Sequence, residues 1–559
     1  MKLLKFFGSL ALATASTAAI AAAATPAMVR PADFKAEADV LLAASFPADG
    51  PGAAVVATRR GEVIYAAGRG LADLEKRRPI TPDTVFKLGS IAKQFTAAMV
   101  LQLVADGRIS LDDPVARFFP SFPQPGAGAT VRQLLNHMSG IHDYTKVPGW
   151  IVRAGTRPFT TADLIAEASK LGSKSEPGTS WEYNNTGYMM LGAIVEKVTD
   201  KAWHEVLAER ITRPLGLRSI AYGPLGEPTP GIARGYTNEK GETQLAGSAH
   251  PSLGHAAGGL VGSSADLAKW AQALHHGRVV SPALYQEMIR PARLADGSTQ
   301  PYGFGLRLRQ IRGRLALVHG GAGRGLDTDS VYVPSEDLFV AVFANSDKPA
   351  TDPSSLTRRL AALALGRPVP AFTRADADPA ALEPLFGSYG GATGKPTLFF
   401  SRGGKLFLGR GDEEREVFAA GGDRFFFGPG ELTWFRLIRP AAGAPPAIEI
   451  HSIEGAEPER AVRTGALPRP VAVPAAVLQS YLGTFQTETL VLTVSPGENG
   501  WLTITPAGQP PMPLRPVSTT EFRIDRGNMR VVFHPENGEV NRLTVHRGAR
   551  VLNGQRTGR

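Results

Sequence analysis

Apolar residues along this chain follow two different periods. Phe34, Ala38, Leu41 and Leu42 stand at helical spacing and predict a helix over 30–46. The pattern then changes: apolar runs at 53–57 and 63–66 flank Arg59-Arg60-Gly61, a hairpin signal with glycine in the turn. A second strand cluster comes late, at 315–318, 330–333 and 338–343, the last two joined by turn-forming Pro334-Ser335-Glu336-Asp337. Between the clusters the pattern is helical. A helix over 91–106 is followed by Gly107 as its C-terminal cap. Thr130-Val131-Arg132-Gln133 opens a short helix as a capping box, further helices fall at 162–171, 187–198 and 265–274, and 355–365 is a closing helix. Strands at both ends with helices between them predict an α+β domain over 28–366, one antiparallel sheet assembled from the two ends and carrying an inserted helical region.

Beyond a proline-rich linker at 367–379 the chain repeats itself. Leu382-x-x-Leu385-Phe386-Gly387-Ser388-Tyr389 recurs 96 residues later as Leu478-x-x-Tyr481-Leu482-Gly483-Thr484-Phe485, and Ile448-x-Ile450-His451 is echoed by Leu543-x-Val545-His546. Alternating apolar residues and frequent glycine turns predict two copies of a small all-β unit, 380–466 and 474–559, each an antiparallel barrel closed on itself.

Composition changes this picture little. The 559 residues carry 43% hydrophobic and 20% charged residues with 62 glycines, as ordinary globular domains do. Met1-Lys2-Leu3-Leu4-Lys5 and the small, apolar run behind it have the layout of a signal peptide over 1–24, so export to the periplasm or the extracellular space is expected. No later stretch reaches spanning length, and the mature chain is expected to have no membrane span. Absence of cysteine removes disulfides, thiolate metal sites and thiol nucleophiles. The net charge of +10, or +8 without Lys2 and Lys5, is scattered, with no basic, aromatic-interleaved helix face for nucleic acid.

Three motifs carry chemistry. Ser90-Ile91-Ala92-Lys93 is the only S-x-x-K in the chain, set where a turn enters an apolar helix. Serine and lysine one turn apart share a helix face, so the amine can meet the hydroxyl, and the helix N-terminus favours an oxyanion beside it. Alone, Ser90 reads first as a helix N-cap. Tyr183-Asn184-Asn185 offers a phenol for proton transfer and an amide for a substrate carbonyl. His319-Gly320-Gly321 follows a strand, where glycine lets backbone approach a ligand. Decoys exist: Tyr236-Thr237-Asn238 runs into a polar turn, and His275 and His276 read as cations at a helix end.

The three motifs in this order resemble the β-lactamase-related, penicillin-recognising serine hydrolases, the S12 type of peptidase. The resemblance runs over 30–365 and includes Thr84 to Thr96, Leu134-Leu135-Asn136-His137-Met138-Ser139-Gly140-Ile141 and Tyr183-Asn184-Asn185-Thr186-Gly187-Tyr188. It implies that Ser90 forms an acyl-enzyme and that Lys93 and Tyr183 move its protons. Asn185, His319 and Gly321 then bind substrate, and the backbone N–H groups of Ser90 and Ala322 make the oxyanion hole. His319 and Gly320 depart from the Lys and Thr or Ser usual in β-lactamases, which puts β-lactam hydrolysis in doubt. His137 and His142 read as structural, while Tyr144 is placed at the cleft. No H-E-x-x-H or similar spacing occurs, so neither metal nor cofactor is implied. The layout of one catalytic domain and two β units further resembles the D-aminopeptidases of this family, in which a tail reaches toward the active site. Its implied substrate is a small molecule or short peptide. A carboxylesterase, a β-lactamase and a non-catalytic envelope-binding protein of the same fold stay open as alternatives.

Overall fold

A computed structural model describes residues 31–150, 157–223, 231–247, 250–390, 394, 396–410, 413–428, 430–440, 444–467, 471–497, 501–524, 529–536, 539–547 and 550–558. The signal-peptide reading of 1–24 lies outside them. Helix α1 (Pro31–Ser45) leads into the hairpin β1 (Ala53–Arg59) and β2 (Glu62–Arg69). Then come α2 (Ala92–Ala105), α3 (Asn185–Thr199), the short α4 (His255–Gly258) and α5 (Ser264–His275). The chain returns to the sheet with β3 (Arg307–Ile311), β4 (Arg314–Gly323), β5 (Leu326–Val333) and β6 (Leu338–Ala344), and α6 (Pro353–Ala364) closes the domain.

These strands form one antiparallel sheet in the order β3-β4-β5-β6-β1-β2, so the first hairpin completes a sheet begun by the last strands. The continuous apolar runs read from the sequence have a physical reason, because both faces of the sheet are covered. Val55, Val318, Val331 and Val340 pack under α1 and α6, while Val56, Leu317, Tyr332 and Phe343 face the helical region. The capping box at Thr130 forms as expected, with Gln133 reciprocating. Strand β3 was absent from the sequence reading, and β4 runs five residues past Val318 to Gly323. Arg307-Leu308-Arg309-Gln310-Ile311 is polar because it is an edge strand that pairs on one side only, with β4.

The tail forms two closed eight-stranded antiparallel barrels. Tyr389 and Phe485, equivalent in the repeat, are fully buried in the two interiors with Phe399 and Phe435 in one and Phe522 and Phe533 in the other. Arg463 and Arg556, from the last strand of each barrel, bond the equivalent carbonyls of Phe386 and Leu482 before the first strand, which ties each barrel shut. The first barrel docks on the β3–β4 turn. Arg312 N–H meets Ile453 O at 2.7 Å and Gly313 N–H meets Glu454 O at 2.8 Å, and Leu432 and Ile453 join the core under α6. The second barrel meets the first through Arg515, which donates to Glu414 at 2.7 Å.

Candidate active site

Ser90 sits in a single 3-10 turn, Gly89–Ile91, that runs into α2. Neither that turn nor α2 receives a side-chain cap, so the N-cap alternative for Ser90 falls away. Gly89 has φ 54°, a left-handed value suited to glycine, and the resulting bend swings Ser90 toward β4. One helical turn on, Lys93 Nζ lies 3.0 Å from Ser90 Oγ. The amine is completely buried, 2.8 Å from Asn185 Oδ1 and 2.8 Å from the carbonyl of Ala257 in α4. Burial pushes its pKa down to about 7, assisted by Arg307 and opposed by Asp143. Near neutral pH a large fraction of Lys93 is therefore free amine, able to accept the serine proton.

Tyr183 precedes α3, whose N-cap Asn184 accepts the N–H of Gly187 at 2.9 Å and donates to Ile141 O. That cap ends the extended approach and sets Tyr183 beside Ser90, close enough for the serine hydroxyl to act on the phenol. Burial raises the phenol's pKa, while Ser90 and Arg307 pull the other way. Tyr183 is thus a protonated donor at neutral pH. Asn185 turns its oxygen to Lys93 because Nδ2 is taken by Thr145 Oγ1 at 2.9 Å and Asp143 Oδ2 at 3.3 Å. Its side chain orients the lysine, whereas the sequence reading gave it the substrate.

The backbone of β4 comes up against the serine turn. A Cβ on Gly321 would stand 2.1 Å from Leu88 O, and one on Gly89 would stand 3.3 Å from Ala322 N. Glycine at both places brings the Ala322 amide beside Ser90. His319 lies in the same strand but is 2% exposed. Its Nδ1 donates to Gly320 O at 2.8 Å and its Nε2 accepts from Tyr302 hydroxyl at 3.0 Å, the only neutral tautomer that satisfies both. Burial pushes its pKa down to about 3. The ring is neutral and both nitrogens are occupied, so its N–H is not open to a substrate. Gly320 faces the other way, where a Cβ would meet Asp329 Oδ1 at 3.0 Å.

Positive charge at this end of the site comes instead from Arg307 on β3. Its guanidinium lies 5.1 Å from the Tyr183 ring centre and 5.5 Å from that of Tyr302. Arg307, Tyr302, Asp143 and Thr145 were missed by sequence reasoning. Arg-x-Arg alternation before the histidine strand was the available signal for Arg307; the others had none.

Two readings are corrected. Tyr144 is fully buried and donates to Leu253 O, so it belongs to the core and not to the cleft. His275 is stacked on Tyr332 and held neutral, its pKa pushed down to about 3 by burial, so it is no helix-end cation. His276 does pair, with Asp337 at 2.9 Å. Tyr236 of the decoy triplet is buried in a strand and accepts the N–H of Leu74. Among the described residues no group of three or more His, Asp or Glu is placed to hold a metal, and no helix is long and apolar enough to cross a membrane.

Comparison with known proteins gives the family of this fold. Residues 42–365 match the beta-lactamase family. A D-aminopeptidase of Gluconobacter oxydans is 31% identical over 334 residues, 58% of this chain and 61% of its own length, so the chain matches about three fifths of that relative. A D-stereospecific amidohydrolase from Streptomyces sp. superposes with a TM-score of 0.50 at 28% identity, covering 58% of this chain and 96% of that one. An octameric penicillin-binding protein homologue from Pyrococcus abyssi shares the fold, with a TM-score of 0.54 at 24% identity over 77% of this chain and 100% of its own. With more than half of its length matching that one family, the chain belongs to the beta-lactamase family of serine hydrolases.

Proposed function

We propose that this chain is an exported hydrolase that forms an acyl-enzyme on Ser90 and cleaves small amides or short peptides, with N-terminal D-amino acid residues as the preferred acyl group. One observation carries the chemistry: Ser90 Oγ lies 3.0 Å from a buried amine with a pKa of about 7, and Tyr183 stands beside it. Neutral Lys93 takes the Ser90 proton as Oγ attacks the carbonyl carbon. The amide N–H groups of Ser90 and Ala322 receive the oxyanion. Tyr183 passes a proton to the leaving amine, and the bond to nitrogen breaks. Water then attacks the ester, losing its proton to the same pair, and Ser90 is released with the acid product.

The preference for D-amino acid amides rests on the relatives, one a D-aminopeptidase and one a D-stereospecific amidohydrolase. Export rests on the sequence of residues 1–24. A second reading, toward carboxylate-bearing substrates such as β-lactams, is favoured by the Arg307 guanidinium beside Tyr183. One screen separates them: hydrolysis of D-alanine p-nitroanilide, its L-isomer, short nitrophenyl esters and a chromogenic cephalosporin by purified protein. The D-anilide is expected to have the highest kcat/KM, and faster turnover of the cephalosporin or the L-isomer would overturn the preference.

A further inference from the structure

His137 lies inside this site and takes no part in the chemistry above. It follows the short helix Val131–Leu135 and stands at φ 66°, a left-handed conformation that a residue with a side chain adopts where its surroundings impose it. Its hydrogen bonds show what is imposed. The carbonyl of His137 accepts the N–H of Glu182 at 3.1 Å, and its ring Nδ1 accepts the N–H of Asn184 at 3.2 Å. One bond from the main chain and one from the ring therefore hold the backbone on either side of Tyr183. The ring itself lies 4.4 Å from the Tyr183 ring and 4.5 Å from that of Tyr302. An accepting Nδ1 leaves the proton of the neutral imidazole on Nε2. That nitrogen is buried with no hydrogen-bond partner among the described residues, a cost that an apolar filler of the same space avoids. Burial, and next the charge of Lys93, hold the ring neutral, so Nδ1 stays an acceptor.

We infer that His137 is a positioning residue for Tyr183, clamping residues 182 and 184 so that the phenol stays beside Ser90. The inference rests on the reading of Tyr183 as the proton-transfer group. His137 acts through the tyrosine, so its loss lowers kcat and leaves substrate binding alone. Displacement of a catalytic group by about 1 Å can cost roughly 100-fold.

Two substitutions separate the clamp from the strained backbone. His137→Gly suits the left-handed φ better than histidine but has no acceptor, whereas His137→Asn tolerates that φ and places Oδ1 near the position of Nδ1. The glycine variant is expected to lose about 10- to 100-fold in kcat and in the rate of Ser90 labelling by a fluorophosphonate, with KM within about twofold. The asparagine variant is expected to recover most of that loss. A folded glycine variant with unchanged kcat, or an asparagine variant as slow as the glycine one, overturns the proposal. Should the glycine variant not fold, 15N NMR of histidine-labelled unmodified protein decides. The clamp requires the Nε2–H tautomer of His137 throughout pH 5–9, and a proton on Nδ1 or titration near the ordinary ~6.5 overturns it. Failure of the unmodified protein to label at Ser90 would count against the hydrolase reading, while the tautomer measurement would still report on the clamp.

Discussion

At the scale of the residue, the site works by keeping a lysine out of water. Lys93 has three hydrogen-bond acceptors within 3.0 Å and no carboxylate among them, and burial brings its pKa to about 7. Activity should therefore rise with pH through about 7 as the amine loses its proton. Arg307 contributes to that depression, so Arg307→Leu should move the acid limb of the kcat/KM profile to higher pH; a limb that stays put would remove Arg307 from the electrostatics of the site. The same shift has a signature in stability. Unfolded, the amine is protonated below ~10.4, and folded only below about 7, so between those values the unfolded chain binds more protons and stability rises with pH. Lys93→Met should flatten this rise, measured as the difference in Tm between pH 7 and pH 9. Ser90→Ala should abolish fluorophosphonate labelling and cost ~10³-fold or more in turnover, and a fully active variant would exclude Ser90 as the nucleophile.

Elements place these residues by close backbone approach. Strand β4 meets the serine turn where Gly321 would drive a Cβ into Leu88 O, a contact with backbone that no rotamer relieves. Gly321→Ala should push β4 off the turn and part the amides of Ala322 and Ser90, with a loss of roughly 100-fold in kcat. Thermal melting should show the protein still folded; wild-type kcat would mean that the two amides do not act together. Helices were legible by an apolar stripe, and inner strands by apolar runs buried on both faces, as Val55 and Val56 are on opposite sides of β1. Strand β3 was not legible, since an edge strand with Arg307 and Arg309 alternates without an apolar face. His275 was misread for a related reason: its place at the end of α5 is visible in sequence, but its burial against Tyr332 depends on β5 arriving from elsewhere.

For the whole molecule, the repeat of 96 residues announced two barrels but not where they dock. The first barrel docks at the β3–β4 turn; Arg314, where β4 begins, is five residues, or about 17 Å along the strand, from His319. Its contacts fill the core under α6 with Leu432 and Ile453, and the Arg312 guanidinium bonds the carbonyls of Arg367, Pro368 and Ser452. A chain ending at Gly366 loses that packing and those acceptors. It should melt at lower temperature yet still label at Ser90, with little change on the smallest esters. Loss of labelling in a folded truncation would show that the tail contributes to the site itself.

By itself the sequence determined the order of the elements, the sheet built from both ends of the first domain, the two barrels, and the S-x-x-K spacing that sets Lys93 one helical turn from Ser90. Those features follow from period, turn chemistry and spacing; joining Tyr183 to them took the resemblance to a family. Tertiary structure decided the rest. It turned Asn185 toward Lys93 through Asp143 and Thr145, occupied both nitrogens of His319, set Arg307 over Tyr183, and put Tyr144 in the core. Each of these is a question of which polar group from a distant segment satisfies which other in a space without water. Such pairing follows from packing, because a buried donor takes the acceptor that folding brings to it, and spacing in the chain does not say which that is.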